Sequence, residues 1–237
     1  MRTIAIEQGT KEWHDSRMCK ITGTKLKAVM GTAEARRSLI AELIAEEATE
    51  MSKAFVTTAE MERGNAEEIF AIRAYEAKTG KKVERVGMCV HDEHDWIALS
   101  PDGLIKDEAG KYSEATEVKC PDSKKAILYR IENMIPMEET GLMGKKGEPL
   151  SGAPFLGIPS EYKWQVVHYF LVNDDLKKLH FLIYDARFIN EDAKLYTVEV
   201  SRDNEILQEA VKEAMEALLK FRADWLAWKE IVLPTEF

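Results

Sequence analysis

Only three cysteines, Cys19, Cys89 and Cys120, occur in the 237 residues, and they lie far apart. An odd, scattered set supports neither a disulfide framework nor a four-cysteine zinc or iron–sulfur site. A reducing cytosol is the expected setting. Long apolar runs are also lacking. The longest stretch without a formal charge is the twelve residues 149–160, three of them proline, against the roughly 20 apolar residues that a membrane span requires. The opening MRTIAIEQGTKEW holds no apolar run of about 7–15 residues after its first basic residue, so no secretory signal is expected. Nor is there an excess of basic charge, since 33 Lys and Arg stand against 42 Asp and Glu for a net −9. Proteins that coat nucleic acid by charge alone are usually basic, which argues against that class. A nucleic-acid enzyme that devotes carboxylates to metal ions stays open.

What is present describes an ordinary globular chain, with 45% hydrophobic and 32% charged residues. A length of 237 residues fits a single domain over 1–237, large enough to bury about 70% of the unfolded surface. Periodicity and stop signals predict helices over Thr24–Met30, Ala33–Glu50, Glu60–Lys78 (closed by Gly80), Glu161–Val172 and Asp203–Lys229. Short strands are predicted at Val83–His91, Trp96–Leu99, Leu104–Ile105, Ala115–Lys119, Lys178–Tyr184 and Leu195–Val200, with a hairpin connection over Lys106–Lys111. That order suits an α/β fold with a mixed central β-sheet flanked by helices. The segment from Ile131 to Ser160, with five glycines and four prolines, reads as a functional or partly mobile loop. The last helix carries a stripe of Ile206, Ala210, Ala214, Ala217, Phe221, Trp225 and Trp228, read as core-facing rather than as a subunit contact. His91-Asp92-Glu93-His94-Asp95 reads as a solvated turn rather than a metal site.

The most informative stretch is Ser100-Pro101-Asp102-Gly103, followed fourteen residues after its glycine by Glu117-Val118-Lys119. Alternate side chains of a strand share a face, so Ala115, Glu117 and Lys119 point one way and Thr116, Val118 and Cys120 the other. A hairpin through 106–111 returns Asp102 towards Glu117. Two carboxylates and a lysine suit phosphodiester hydrolysis, because Mg²⁺ prefers oxygen ligands, keeps several waters and needs only one or two carboxylates. A neighbouring lysine orients the attacking water or offsets charge in the transition state. Each half alone is commonplace: Ser-Pro-Asp-Gly is an ordinary turn, and Glu-x-Lys recurs by chance.

A third acid, Glu68, falls on the helical stripe of Met61, Ile72 and Tyr75, where an unpartnered carboxylate is costly. It calls for a metal or for a salt bridge to an arginine. Glu67, turned about 100° away, reads as solvent-facing.

Four segments in order then resemble the λ-exonuclease/YqaJ-like viral recombinase family of the PD-(D/E)xK nuclease superfamily. They are Glu-Trp-His-Asp-Ser-Arg (12–17) with Ile-Thr-Gly-Thr (21–24), and Arg-Gly-Asn-Ala-Glu-Glu (63–68) with Tyr-Glu (75–76). Then come Ser-Pro-Asp-Gly (100–103) with Glu-Val-Lys-Cys-Pro (117–121), and Tyr-Lys-Trp-Gln-Val (162–166). The resemblance implies a restriction-endonuclease-like fold, with Asp102, Glu117, the Val118 carbonyl and Glu68 as metal ligands. It further implies Lys119 as the catalytic lysine, Gln165 as the motif glutamine, and Arg17 with Thr24 holding a DNA 5′-phosphate. A guanidinium forks onto phosphate oxygens and a hydroxyl near a helix start adds a donor. Read from the residues alone, Arg17 is a surface ion pair with Glu12 or Asp15.

The activity so implied is an Mg²⁺-dependent 5′→3′ exonuclease, with Mn²⁺ as a substitute. It would act on double-stranded DNA ends as a homotrimer, leave 3′ overhangs, and work with a single-strand annealing protein. Thr24 stands where serine is more usual, Val167 where a second glutamine often lies, and the 131–160 segment is this chain's own elaboration. Lys124, Lys125, Lys145 and Lys146 nearby suit phosphate tracking or a solvated surface. An endonuclease using the same site and a non-catalytic DNA-end-binding protein are the alternatives, and the cysteine count argues against a Cas4-like iron–sulfur nuclease.

Overall fold

Seven strands form two sheets in the computed structural model, which describes residues 1–52 and 58–234. β1 (Arg2–Ile4), β2 (Met88–Val90) and β3 (Ala98–Leu99) make an antiparallel sheet in that order. β4 (Gly103–Lys106), β5 (Tyr112–Lys119), β6 (Lys178–Tyr184) and β7 (Leu195–Ser201) make the second. There β4 and β7 lie antiparallel to their neighbours while β5 and β6 run parallel, so this sheet is mixed, as the sequence predicted. The helices are α1 (Lys11–Ser16), α2 (Gly23–Val29), α3 (Ala33–Thr49), α4 (Ala59–Thr79), α5 (Ser123–Met134), α6 (Met137–Thr140), α7 (Lys163–Val172), α8 (Glu191–Lys194) and α9 (Glu205–Val232). Among the described residues no helix is long and apolar enough to cross a membrane.

The alternation of strand side chains explains the layers. Ala115 of β5 with Leu179, Phe181 and Ile183 of β6 packs against α7 through Val166, Tyr169 and Phe170. On the other face Val118, Leu182 and Tyr184 pack against Ala71, Ile72 and Tyr75 of α4. Both faces are therefore covered by a helix, as the parallel β5–β6 pair requires. Behind α7, helix α9 buries Leu207, Ala210, Ala214, Leu218, Phe221 and Trp225. The predicted stripe was right at its centre and wrong at its ends, because Ile206 and Trp228 are exposed. Met61, assigned above to the α4 stripe, lies outside the described side chains.

Several elements escaped the periodicity. The Val83–His91 strand is confined to 88–90, preceded by an isolated bridge from Glu84 to Leu104. The loop predicted from 131 begins inside α5. That helix starts because Asp122 caps it, its side chain accepting from the Lys125 amide at 3.0 Å. β1, α1, α6 and α8 are each six residues or fewer, too short for a hydrophobic period to register. The 91–95 turn does join β2 to β3, yet His91 is buried, its Nδ1 accepting from the amides of Glu93 and His94.

Candidate active site

The hairpin of β4 and β5 returns the Asp102 turn to the end of β5. Gly103 pairs with Thr116, so Asp102 projects beside the next residues of β5. Its Oδ2 accepts from the Val118 amide at 2.7 Å. Glycine is required at 103, since a Cβ there would stand 2.2 Å from Val83 Cγ1 and 2.6 Å from Thr116 Oγ1. Two N-terminal side chains fix the turn from outside. Trp13 Nε1 donates to the Gly87 carbonyl and to Ser100 Oγ, both at 3.1 Å. Gln8 Nε2 donates to the carbonyls of Val86 and Pro101, both at 2.9 Å.

Glu117 and Lys119 emerge on the α7 face of β5, as strand alternation predicted. Glu117 is almost wholly buried, at 1% side-chain exposure against 20% for Lys119. Both of its oxygens are held: Oε1 by Lys119 Nζ and Gln165 Nε2, and Oε2 by the Tyr169 hydroxyl at 2.6 Å. Gln165 reaches it because α2 packs tightly on α7 at Gly23, where a Cβ would meet Gln165 Cγ at 3.2 Å. The Lys119 ammonium also lies 5.0 Å from the centre of the Tyr162 ring. Val118 turns its side chain into the α4 cluster. Its N–H faces Asp102, and the carbonyl of a strand residue lies on the same edge as its N–H, so both groups look past the end of β4.

Glu68 approaches from α4 and lines the same cleft of about 590 Å³, together with Asp102, Glu117, Lys119, Thr24 and Gln165. It meets Arg85 Nη2 at 2.5 Å, so the arginine partner and the cleft position coexist. Arg17 does not line the cleft. Its guanidinium lies 4.1 Å from the Trp13 ring, and Asp15, a partner suggested from sequence, pairs with Lys11 at 2.5 Å. Glu67 departs from its solvent-facing reading: its Oε2 is buried without a hydrogen-bond partner. A second cavity of about 570 Å³, between the 91–94 turn and α9, shares no lining residue with the cleft.

The charged groups of the cleft shift one another's titration. Burial lifts the Asp102 carboxyl well above the usual carboxylate range and the Glu117 charge lifts it further, against the pull of Lys119. Burial also raises Glu68, with Arg85 opposing and Glu117 adding. Burial pushes the Lys119 ammonium down, but Glu117 and Asp102 outweigh it and leave Lys119 raised, hence protonated. Three acids thus face Lys119 and the rim residue Arg85, while Arg63, Lys125 and Asp122 line the same cleft. Among the described residues no donor reaches Asp102 Oδ1. Three carboxylates converging on one cleft make an all-oxygen set that fits a hard divalent cation. Among the described residues no group of three His, Cys, Asp or Glu is close enough together to hold a metal ion by itself.

The model of the YqaJ-like viral recombinase domain matches residues 12–175, a span that contains every one of these cleft residues. The chain belongs to that family. An alkaline exonuclease (LHK-Exo) from Laribacter hongkongensis is similar at 26% identity and a TM-score of 0.67, with 94% of this chain and 98% of that one covered. The same exonuclease in complex with dAMP matches with the same figures. A phage-related exonuclease from Haemophilus somnus 129PT shares the fold at 18% identity and a TM-score of 0.55, covering 88% of this chain and 95% of that one. No curated protein is a significant sequence match.

Within this YqaJ-like domain, sequence reasoning missed several residues in and around the cleft. Tyr169 was given no role from sequence, although a spacing of four residues puts it and Gln165 within reach of one carboxylate. Arg63 lay inside a quoted motif but was given no role, and it lines the cleft. Arg85, from the connection between α4 and β2, carried no sequence signal for its pairing with Glu68.

Proposed function

We propose that this chain is an Mg²⁺-dependent 5′→3′ exonuclease that degrades one strand of linear double-stranded DNA, leaving 3′ overhangs for recombination by single-strand annealing. The observation that carries this reading is the convergence of Asp102, Glu117 and Lys119 in one cleft, in a chain of the YqaJ-like family. The similarity to an alkaline exonuclease that has been solved with dAMP supports a nuclease acting on DNA.

In this reading Asp102, Glu117 and the Val118 carbonyl hold Mg²⁺, with Glu68 beside them; Mn²⁺ would substitute. The bound ion lowers the pKa of a coordinated water and offsets charge on the phosphodiester. Gln165 fixes Glu117 through Oε1. Lys119, kept protonated by its two acidic neighbours, orients the attacking water and offsets developing negative charge with its ammonium. Thr24 lines the cleft and offers its hydroxyl to the 5′-phosphate. Arg17 supplies a guanidinium that stacks on Trp13 and is bound by no carboxylate among the described residues. The functional unit is a homotrimer working with a single-strand annealing partner in the bacterial or phage-infected cytoplasm, a setting compatible with three free cysteines.

The test uses 5′-phosphorylated linear duplex and covalently closed plasmid, each with Mg²⁺ and with EDTA. Metal-dependent loss of the linear DNA alone is expected, with an end label reporting polarity. Nicking of the plasmid would replace this reading with an endonuclease. Binding of both substrates without cleavage would leave a DNA-end-binding protein.

A further inference from the structure

The hydroxyl of Tyr169 sits between the two strand-borne acids of the cleft. Its oxygen accepts from the Asp102 amide at 3.3 Å, and its proton is directed at Glu117 Oε2 at 2.6 Å, with the Thr116 carbonyl 3.2 Å away. The residue is 1% exposed, so water does not compete for these bonds. A chain therefore runs from the Asp102 N–H through the tyrosine oxygen to the Glu117 carboxylate, and each link polarises the next.

Counting lone pairs shows what this arrangement leaves open. A carboxylate oxygen accepts about two hydrogen bonds. Glu117 Oε1 already takes two donors, Lys119 and Gln165, whereas Oε2 takes only Tyr169. One acceptor position of Oε2 thus remains, and the tyrosine proton fixes the rotation of the carboxylate that decides where it points. On the Asp102 side the same hydroxyl holds the backbone of the turn whose Oδ1 meets no donor among the described residues.

We infer that Tyr169 is the positioning residue for divalent-cation binding, aligning Glu117 Oε2 with the Asp102 carboxylate from a buried place behind both. This rests on the metal-dependent reading above. Tyr169 touches neither substrate nor the reacting atoms; it acts through Glu117 and the Asp102 backbone. Removing an outer partner of a metal ligand typically lowers metal affinity by about 10–100-fold.

The test is Tyr169→Phe, which keeps the ring in the core and removes only the hydroxyl. Metal binding is read without DNA, as the rise of the thermal midpoint with Mg²⁺ concentration, since a ligand of the folded state stabilises it in proportion to RT ln(1 + [L]/Kd). Tyr75→Phe, at another buried tyrosine packed on the far face of the sheet, is the control. Expected is a metal titration displaced about 10–100-fold to higher Mg²⁺ in Tyr169→Phe alone, with its metal-free midpoint and circular dichroism preserved. A titration coincident with wild type overturns the inference, as does an equal displacement in Tyr75→Phe.

A readout on the unsubstituted protein guards against a variant that does not fold. Mg²⁺ at Glu117 withdraws charge from Oε2 and weakens the bond from Tyr169, giving a tyrosine ultraviolet difference signal that saturates with the thermal shift. Absence of that signal while the thermal shift is present counts against the inference. A wild-type protein that shows neither a metal-induced shift nor metal-dependent cleavage overturns the function itself, and the positioning role with it. Wild-type cleavage and metal response with an unaltered Tyr169→Phe titration overturn the positioning role alone.

Discussion

Asp102 Oδ2 and the Val118 amide meet at 2.7 Å, so one carboxylate is seated by the backbone of the strand that carries the other acid and the lysine. The seat survives loss of the charge, because an amide oxygen also accepts. Asp102→Asn is therefore expected to keep this bond and to relieve the repulsion from Glu117 that the carboxylate suffers. The metal-free thermal midpoint should hold or rise, while Mg²⁺-dependent cleavage falls below detection. A variant that cleaves linear DNA at the wild-type rate would remove Asp102 from the metal set.

Lys119→Ala should lower cleavage by at least about 10²-fold, the scale of losing one electrostatic stabiliser in a closed site. Binding of duplex DNA with Ca²⁺ in place of Mg²⁺ should change little. Retained cleavage would sink the assignment of Lys119. Parallel loss of binding would make the lysine a phosphate contact instead.

Arg63 lines the cleft, and its hydrogen bond there is Nη2 to the Cys120 carbonyl at 3.3 Å; no carboxylate pairs with it among the described residues. Such a guanidinium is available to the DNA backbone. Arg63→Gln is expected to weaken binding without regard to sequence and to reduce the slope of log K against log salt by about 0.9, the value of one phosphate contact. Weaker binding at an unchanged slope would mean that Arg63 serves only to hold Cys120.

His168 ties α7 to β3 through Nε2 and the Ala98 carbonyl at 2.7 Å. Burial lowers its imidazole to about 4, the Ala98 carbonyl opposing and nearby His91 adding to the fall. A free histidine titrates near 6.5. The unfolded chain therefore gains a proton here between pH 6.5 and about 4 while the folded chain does not. The stability this group contributes is complete above pH 6.5 and is lost as pH falls through that window. The loss is about 2 kcal/mol by pH 5. Urea unfolding at pH 7 and pH 5 should show a smaller difference in His168→Gln, which retains a donor for Ala98 but does not titrate. An equal difference in both would assign the acid sensitivity elsewhere.

Local pattern was enough to predict the hairpin that brings Asp102 to Glu117, because a turn and two alternating strands are set by neighbours in sequence. It also predicted that Glu68 belongs to the buried stripe of α4, where an acid needs a partner. It could not choose between a metal and an arginine, and the fold supplies Arg85 while keeping Glu68 in the cleft. The ends of the α9 stripe went wrong for a related reason. Spacing gives the face of a helix only to within a residue, and packing decides which neighbour is covered: Leu207 is buried where Ile206 is exposed, and Trp225 is buried where Trp228 is 40% exposed although Trp228 still lies against α3.

The sequence by itself determined the candidate set, Glu117 and Lys119 at strand spacing with Asp102 returned by a hairpin, and the order of elements that forms a mixed sheet. Only the tertiary structure decided which side chains hold that set in place. Tyr169 and Gln165 reach Glu117 across 52 and 48 residues of chain, and Trp13 reaches Ser100 across 87. Hydrogen bonds at such separations depend on how helices and sheets pack, and packing is fixed by the whole core at once rather than by any local run of residues.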